Sequence, residues 1–313
     1  TVIVDTLAPT LAIDSITDDN IINAAEAGQT LAITGSSDAE AGQQVQVTVN
    51  GKTYTSTVRD DGSWRVDVPA TDMSALKDGN LTVKASVSDV AGNSTDSTRV
   101  ALVDASVPVI TINTFAADDI INATEHGQAQ ILSGTSTGGA AGDLVTITSG
   151  DKSWTTVLDA NGNWSLGLSA SEVKAFAQDN HTFTVSVTDS AGNTGEATHD
   201  FTVHLTEPAI TINTIATDDV VNALEKGADL EITGTSNQPS DTVITVTLNG
   251  VNYVAKTGAD GSWSVTVPAA NVSVLGEAGY TVTASVTDTT GNSNSAEHTF
   301  VVDSALPTVT INL

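Results

Sequence analysis

One acidic stretch occurs three times in this chain: Asp19-Asn20-Ile21-Ile22-Asn23-Ala24-Ala25-Glu26, Asp118-Asp119-Ile120-Ile121-Asn122-Ala123-Thr124-Glu125 and Asp218-Asp219-Val220-Val221-Asn222-Ala223-Leu224-Glu225. Its Glu returns after 99 and then 100 residues. A period of that length sets the size of the folding unit before any strand is assigned. Other landmarks keep the same step: Trp64, Trp164 and Trp263; Pro9, Pro108, Pro208 and Pro307; and the loops Asp89-Val-Ala-Gly-Asn93, Asp189-Ser-Ala-Gly-Asn193 and Asp288-Thr-Thr-Gly-Asn292. Length alone, 313 residues, suggests two domains of roughly 150 residues each, but the period gives three, each large enough to bury a core. The expected modules are residues 6–104, 105–204 and 205–303, with 1–5 closing a preceding repeat and 304–313 opening a following one. The chain is therefore read as a piece of a longer array whose targeting signals lie elsewhere.

Within one period the pattern is that of short strands. Residues 10–16 alternate after Pro9, and Val109 and Ala209 take the place of Thr10 in the later copies. The acidic motif follows as a loop, then residues 30–35 and 45–49 make the second and third strands. Asn50-Gly51 and Asn249-Gly250 predict type I′ hairpins, in which both central residues take positive φ. Ser149-Gly150-Asp151 predicts a longer turn or a bulge. After the return strand at 54–58, Asp60-Asp61-Gly62, Asp159-Ala160-Asn161-Gly162 and Asp260-Gly261 form the next turn, and a Trp leads the strand beyond it. Residues 69–78 hold the only helix-like material, and 81–87 and 99–103 complete the unit. Seven short strands with turn signals about every ten residues give an all-β fold, a tandem array of three immunoglobulin-like antiparallel β-sandwiches with the Trp residues plugging the cores.

A net charge of -28 with ten basic residues turns away nucleic acid and anionic membrane surfaces, since both reward Lys and Arg. Cations are the natural counterpart. Scattered carboxylates need do no more than solvate a Thr/Ser-rich chain, but those returning at fixed places ask for another reason. The chain has no cysteine, hence no disulfide, thiolate ligand or Cys nucleophile, which is compatible with export. No stretch approaches the roughly 18 apolar residues of a membrane span, and no signal peptide opens the chain.

Following seven antiparallel strands puts loops at alternate poles. The acidic motif lies at the far pole, beside the exit of the last strand; the Asp-x-x-Gly-Asn loop lies at the near pole, beside the entry from the previous module. Asp5, Asp104, His204 and Asp303 stand four residues before each repeat proline, in the connections. At the first junction this gathers Asp19, Glu26, Asp104, Asp189 and Asn193 from two modules and their linker. Oxygen donors with no Cys and little His describe a hard-cation site, and Ca2+ accepts irregular oxygen cages more readily than Mg2+. The second junction offers Asp118, Asp119, Glu125, Asp288 and Asn292, with His204 in place of the linker Asp, and is expected to bind more weakly. Asp5, Asp89 and Asn93 occupy the equivalent positions upstream; Asp218, Asp219, Glu225 and Asp303 form a third set expected to be unfinished within this chain. Taken singly, each residue has a plainer reading: Asp and Asn cap turns, Gly92 supplies positive φ and Glu26 is solvated. A further ion at Asp60-Asp61 or at Asp159 and Asn161 is weighed against ordinary hairpin chemistry, which is favoured.

An enzyme finds little support. Gly134-Thr135-Ser136-Thr137-Gly138 matches the hydrolase elbow pattern, but that motif needs a strand-to-helix turn. The five histidines do not recur in register, which argues against a triad or a zinc site.

The ordered set Asp-Asp-Ile-Ile-Asn-Ala-x-Glu, Ile-x-Gly-Thr-Ser, Asn-Gly, Asp-Gly-Ser-Trp, Val-Pro-Ala and Asp-x-x-Gly-Asn resembles the bacterial immunoglobulin-like repeats of giant, non-fimbrial adhesins and biofilm proteins secreted by type I systems. The resemblance covers essentially the whole chain. It implies a secreted, surface-exposed monomeric rod in which Ca2+ stiffens the junctions between adjacent repeats, and a parent molecule that attaches to host cells or surfaces as a virulence or biofilm factor. His204, and Asn20 where the other repeats have Asp119 and Asp219, depart from the pattern locally. The alternative is that the modules themselves bind a host glycan or protein, for example through the loop at residues 138–142.

Overall fold

The computed structural model describes residues 4–309; the parts of the expected flanking repeats at residues 1–3 and 310–313 lie outside the described residues. Each period supplies eight strands. In the first these are β1 (Leu11–Ile13), β2 (Ile21–Asn23), β3 (Leu31–Ser37), β4 (Gln44–Val49), β5 (Lys52–Thr57), β6 (Ser63–Val68), β7 (Gly79–Ser88) and β8 (Ser94–Asp104). In the second they are β9 (Val109–Ile112), β10 (Ile120–Ile121), β11 (Gln130–Thr137), β12 (Leu144–Ser149), β13 (Lys152–Val157), β14 (Asn163–Leu168), β15 (Asp179–Thr188) and β16 (Thr194–Val203). The third has β17 (Ile210–Ile212), β18 (Val220–Val221), β19 (Leu230–Ser236), β20 (Val243–Leu248), β21 (Val251–Lys256), β22 (Ser262–Val267), β23 (Ala278–Thr287) and β24 (Ser293–Val302). Every period forms one three-stranded and one five-stranded sheet, in the first β1-β3-β6 and β2-β8-β7-β4-β5, and the same orders recur in the other two. The all-β, immunoglobulin-like class read from the sequence is the observed one.

The described chain divides into two compact units. One comprises the chain up to Asn113 with Leu132–Leu166 and Thr182–His199; the other comprises Thr114–Ile131, Gly167–His181 and the chain from Asp200 on. The first contains the whole first sandwich, whose core includes Ile22, Ile33, Val45, Val47, Trp64, Met73 and Val83. The second contains the whole third sandwich, with Val221, Ile232, Ile244, Val246, Trp263, Val267 and Phe300 in its core. It also holds an aromatic cluster in which Phe201 meets Phe115 and Phe176 edge-on at centroid distances of 5.1 and 5.2 Å.

Alternation of apolar and polar residues explains these cores. In β4 the pattern Gln-Val-Gln-Val-Thr-Val buries each Val and exposes or half-exposes each polar residue, the period-2 face of a strand packed on one side. Trp64, Trp164 and Trp263 are only 0%, 2% and 3% exposed, so they are core residues and offer no stacking platform. Each ring is accommodated by a glycine on the neighbouring strand. A Cβ on Gly134 would lie 2.0 Å from the Thr111 carbonyl oxygen and 2.6 Å from Trp164 Cζ2, and Gly35 and Gly234 are equally confined. The glycine of the elbow-like sequence 134–138 thus makes room for an indole, and Ser136 in the same strand is 5% exposed.

Four sequence expectations are corrected. The acidic motif is not a loop: it opens with a short strand, β2, β10 or β18, paired parallel to the last strand of its own period. Helix-like material is not confined to residues 69–78, because a helical turn, α1, occupies Ala24–Ala27, and single 3₁₀ turns occupy Glu125–Gly127 and Glu225–Gly227. The hairpin after β12 is no longer than the others: Ser149 pairs with Lys152, and Gly150 alone takes positive φ, 59°. Asn50 and Gly51, at 48° and 76°, and Asn249 and Gly250, at 48° and 77°, have the torsions of the expected type I′ turns. Finally, two of the five histidines do recur in register. Leu102, Thr202 and Val301 donate equivalent backbone bonds to Asn20, Asp119 and Asp219, which sets Arg99, His199 and His298 at one position of the fold.

Replacing Gly134 by Ala is expected to cost about 1–3 kcal/mol or more, the range for overpacking a close-packed core. Gly167→Ala in β14, where a Cβ would meet nothing within 4 Å, is expected to be neutral or slightly stabilising. Urea denaturation of the two variants separates these outcomes.

Candidate functional site

Each acidic motif first satisfies its own backbone. Asn23 caps α1: its side-chain oxygen accepts from Glu26 N–H at 3.0 Å, and Glu26 Oε2 accepts from Asn23 N–H at 3.0 Å. This reciprocal pair is a capping box. Asn122 with Glu125, and Asn222 with Glu225, repeat it. Asp19, Asp118 and Asp218 each accept from the amide two residues on, an Asx turn. The Ile21 amide, and then the Thr17 hydroxyl, hold the Asp19 carboxyl below its ordinary pKa.

The next residue takes left-handed torsions in all three motifs, with φ of 63° at Asn20, 63° at Asp119 and 61° at Asp219. Asn and Asp tolerate this region best among residues with a side chain. Asn20, Asp119 and Asp219 accept from the amides of Ile16, Phe115 and Ile215. Asn20 also accepts from Arg99 Nε at 2.9 Å, and His298 Nε2 lies 2.7 Å from Asp219 Oδ1. The Asn20 departure therefore keeps the same turn, because a carboxamide oxygen accepts as a carboxylate does.

The Asp-x-x-Gly-Asn loops are built alike. Asp189 Oδ1 accepts from the amides of Ala191 and Asn193, both at 2.9 Å. Asp288 accepts from the amides of Thr290 and Asn292 and from the Thr290 hydroxyl. Gly192 and Gly291 both sit at φ 85°. The turns at Asp61, Asp159 and Asp260 likewise direct their carboxylates to amides and side chains two to four residues on, the hairpin chemistry favoured from the sequence.

The first unit brings the acidic motif, linker and loop of the first junction together. Asn193, 4% exposed, accepts from Ala24 N–H at 2.7 Å through Oδ1 and donates through Nδ2 to the Asp104 carbonyl at 2.8 Å and to Asp189 Oδ2 at 2.9 Å. The second unit repeats the arrangement. Asn292, 1% exposed, accepts from Ala123 N–H at 2.7 Å and donates to the His204 carbonyl at 2.8 Å. Upstream, Asn93 donates to the Asp5 carbonyl at 3.3 Å. Each linker is fixed again one residue further on, where Ala105, Leu205 and Ser304 donate to Asp78, Gln178 and Glu277.

Electrostatics distinguish the two junctions. Burial, then the neighbouring Asp189 carboxylate, push the Asp104 carboxyl above its ordinary pKa, with Asp78 and Asp143 adding to the rise against the Ser106 amide. The charged side chains acting on Asp104 are thus all carboxylates. Asp78 and Asp143 were not among the sequence candidates; the signal was their place beside the linker, which only the folded chain reveals. At the second junction His204 replaces Asp104 and Gln178 replaces Asp78. Burial would raise Asp288, but its hydrogen bonds from Thr290 and Asn292 outweigh that and hold it below its ordinary pKa.

The expected cation ligands are therefore placed unevenly. Asp104 and Asp189 share a junction and interact. The Asn193 and Asn292 oxygens each accept from one amide, and one oxygen of each motif Glu caps its own turn. Asp218, Asp219, Glu225 and Asp303 belong to the third far pole, where Asp303 N–H donates to the Val221 carbonyl at 3.1 Å; Asp5, Asp89 and Asn93 belong to the first near pole. Among the described residues no three His, Asp or Glu side chains converge at metal-binding distance, and no helix is long and apolar enough to cross a membrane.

Comparison with known proteins follows the same lines. Two family models, each described as a bacterial Ig-like domain, match the chain, one at residues 4–105 and 217–304 and the other at 158–204. No curated protein sequence matches it. Among solved structures, one from work on host cell surface retention of a 1.5-MDa bacterial ice-binding adhesin is 31% identical, with 96% of this chain and 99% of that chain covered and a TM-score of 0.53. A Ca2+-stabilized adhesin with which an Antarctic bacterium binds ice is 33% identical over 96% of this chain and 75% of that one, with a TM-score of 0.48. A bacterial immunoglobulin-like domain of the M. primoryensis ice-binding adhesin is 39% identical over 30% of this chain and 96% of its own, with a TM-score of 0.25. The chain belongs to the bacterial immunoglobulin-like domain family.

Proposed function

We propose that this chain is a spacer segment of a secreted bacterial surface adhesin, stiffened by Ca2+ at the junctions between its repeats. Its modules are residues 6–104, 105–204 and 205–303, and its neighbours are other repeats of the same kind. Support for the adhesin class comes from family membership and from the likeness in fold to a bacterial adhesin segment.

The observation that carries the cation reading is the charge around Asp104: a half-buried linker carboxylate whose charged neighbours are Asp189, Asp78 and Asp143. Gathered carboxylates repel, and in partly desolvated surroundings the repulsion is costly unless a counter-ion or proton relieves it. Oxygen donors without sulfur or imidazole fit a hard cation. Asp104 and Asp189 would hold it, and Ca2+ would supply charge neutralisation and a cross-link between linker and following module. The second junction, with His204 and Gln178, fits a cation poorly. Extracellular calcium modules bind at about 10⁻⁴ to 10⁻³ M, so the junction would respond to external rather than cytosolic calcium. Secretion by a type I system and attachment to host cells or surfaces belong to the same proposal for the parent molecule.

Two outcomes follow. A carboxyl raised in the folded state makes folding less favourable as pH rises through its titration, and that cost is relieved as pH falls. Asp104→Asn removes the cost, so in chelator at neutral pH its melting temperature should equal or exceed wild type, while its gain on adding calcium should shrink. A lower melting temperature in chelator with an undiminished calcium gain contradicts the assignment. Independently, small-angle scattering should show a longer, better-defined maximum dimension in millimolar calcium than in chelator; identical profiles rule out stiffening.

A further inference from the structure

We propose that consecutive repeats are docked by a carboxamide clamp that needs no cation, formed by Asn193 at the first junction and Asn292 at the second. The surface it recognises is the start of an Asn-Ala-x-Glu motif on the preceding repeat. Four features define the clamp, all seen twice.

The side chain is buried, at 4% and 1% exposure. Its oxygen takes the amide of the residue after the motif Asn, Ala24 or Ala123, at 2.7 Å in both cases. Its nitrogen takes the carbonyl of the linker residue, Asp104 or His204, at 2.8 Å in both cases. Its own amide is tied to the loop Asp, so the carboxamide is presented in one orientation. One side chain therefore joins three segments: the preceding repeat, the linker and the following repeat.

The amide it captures is one that a turn of helix leaves without an intrahelical partner. Asn23 and Asn122 direct their own oxygens to Glu26 and Glu125, two residues beyond those amides. The motif thus caps part of its own first turn and leaves the Ala24 or Ala123 amide for the next repeat to complete. Such a bond excludes water from both partners, and losing either side leaves a buried polar group unpaired.

The linker partner is a backbone carbonyl, which explains why the clamp is unchanged where His204 replaces Asp104. For a hard cation the same exchange removes a carboxylate oxygen ligand. Gly192 and Gly291 belong to the same contact: a Cβ on Gly291 would lie 2.9 Å from Asn122 Nδ2. The Asp-x-x-Gly-Asn loop is accordingly a docking element whose partner class is any module with the self-capped Asn-Ala-x-Glu turn. The clamp does not depend on the calcium reading, because both partners of each of its bonds are protein groups.

The test is residue-resolved amide hydrogen exchange on the whole chain in chelator at neutral pH. Ala223 is the internal reference, since among the described residues it donates to no such carboxamide. Ala24 and Ala123 are expected to exchange about tenfold or more slowly than Ala223, the scale on which opening one or two buried hydrogen bonds retards exchange. Asn193→Ala should release Ala24 and leave Ala123 protected; Asn292→Ala should do the reverse. Core amides such as Val47 and Val246 serve as folding controls, and Asn193→Ser and Asn292→Ser provide smaller perturbations if the alanine variants lose core protection. Exchange of Ala24 and Ala123 at the Ala223 rate overturns the clamp. Protection that appears only when calcium is added also overturns it, while leaving the calcium reading intact; protection unaltered by calcium supports the clamp and counts against calcium at that junction.

Discussion

The junctions depend on a very short piece of sheet. Ile21 and Ile22 pair in parallel with Leu102 and Val103, and the same pairing recurs at Ile120–Ile121 and Val220–Val221. Two apolar residues, one of them fully buried in each copy, anchor the acidic motif beside the strand through which its repeat exits. Without that pairing the motif would be a polar surface loop. With it, Asn23 and the Ala24 amide stand at a fixed distance from the linker, and the following repeat meets a defined surface. Burial of Ile22 and Ile121 at 0% exposure thus reaches through backbone geometry to the polar contacts of the next module.

Two kinds of polar interaction then divide the work. The bonds of Asn193 and Asn292 to the motif amide and the linker carbonyl are neutral, buried and alike at both junctions. The carboxylates are unlike: Asp104 faces Asp189, Asp78 and Asp143, whereas His204 and Gln178 occupy the matching places at the second. Neutral hydrogen bonds are insensitive to ionic conditions, while a carboxylate group invites a counter-ion. In the proposed spacer, the first set gives every joint its geometry and the second makes one joint responsive to the medium. The exchange of Asp104 for His204 leaves the docking bonds in place, because the linker contributes its backbone carbonyl.

Much of this was legible in the sequence. The period, the alternating strands, the Asn-Gly hairpins and the buried Trp residues follow from local rules applied three times. The meeting of acidic motif, linker and Asp-x-x-Gly-Asn loop follows from counting strands between poles. What was missed has physical causes. Asn-x-x-Glu is itself a helix-cap signature, but its acidic neighbours give the same residues the pattern of a cation-binding loop, which masks the turn at Ala24–Ala27 and the strand before it. The role of Asn193 was hidden because a carboxamide is equally suited to a cation or to a peptide group; only its partners decide. Asp78 and Asp143 lie in unremarkable loops and gain meaning from proximity to Asp104. Arg99, His199 and His298 give no repeat signal because one position carries two residue types.

The central claim is that the two junctions share a dock but differ in charge. Residue-resolved NMR titration with calcium tests it most directly. Amides around Asp104 and Asp189–Asn193 should shift and saturate at lower calcium than those around His204 and Asp288–Asn292. Equal midpoints at the two junctions, or no saturable shift around Asp104, would contradict the account.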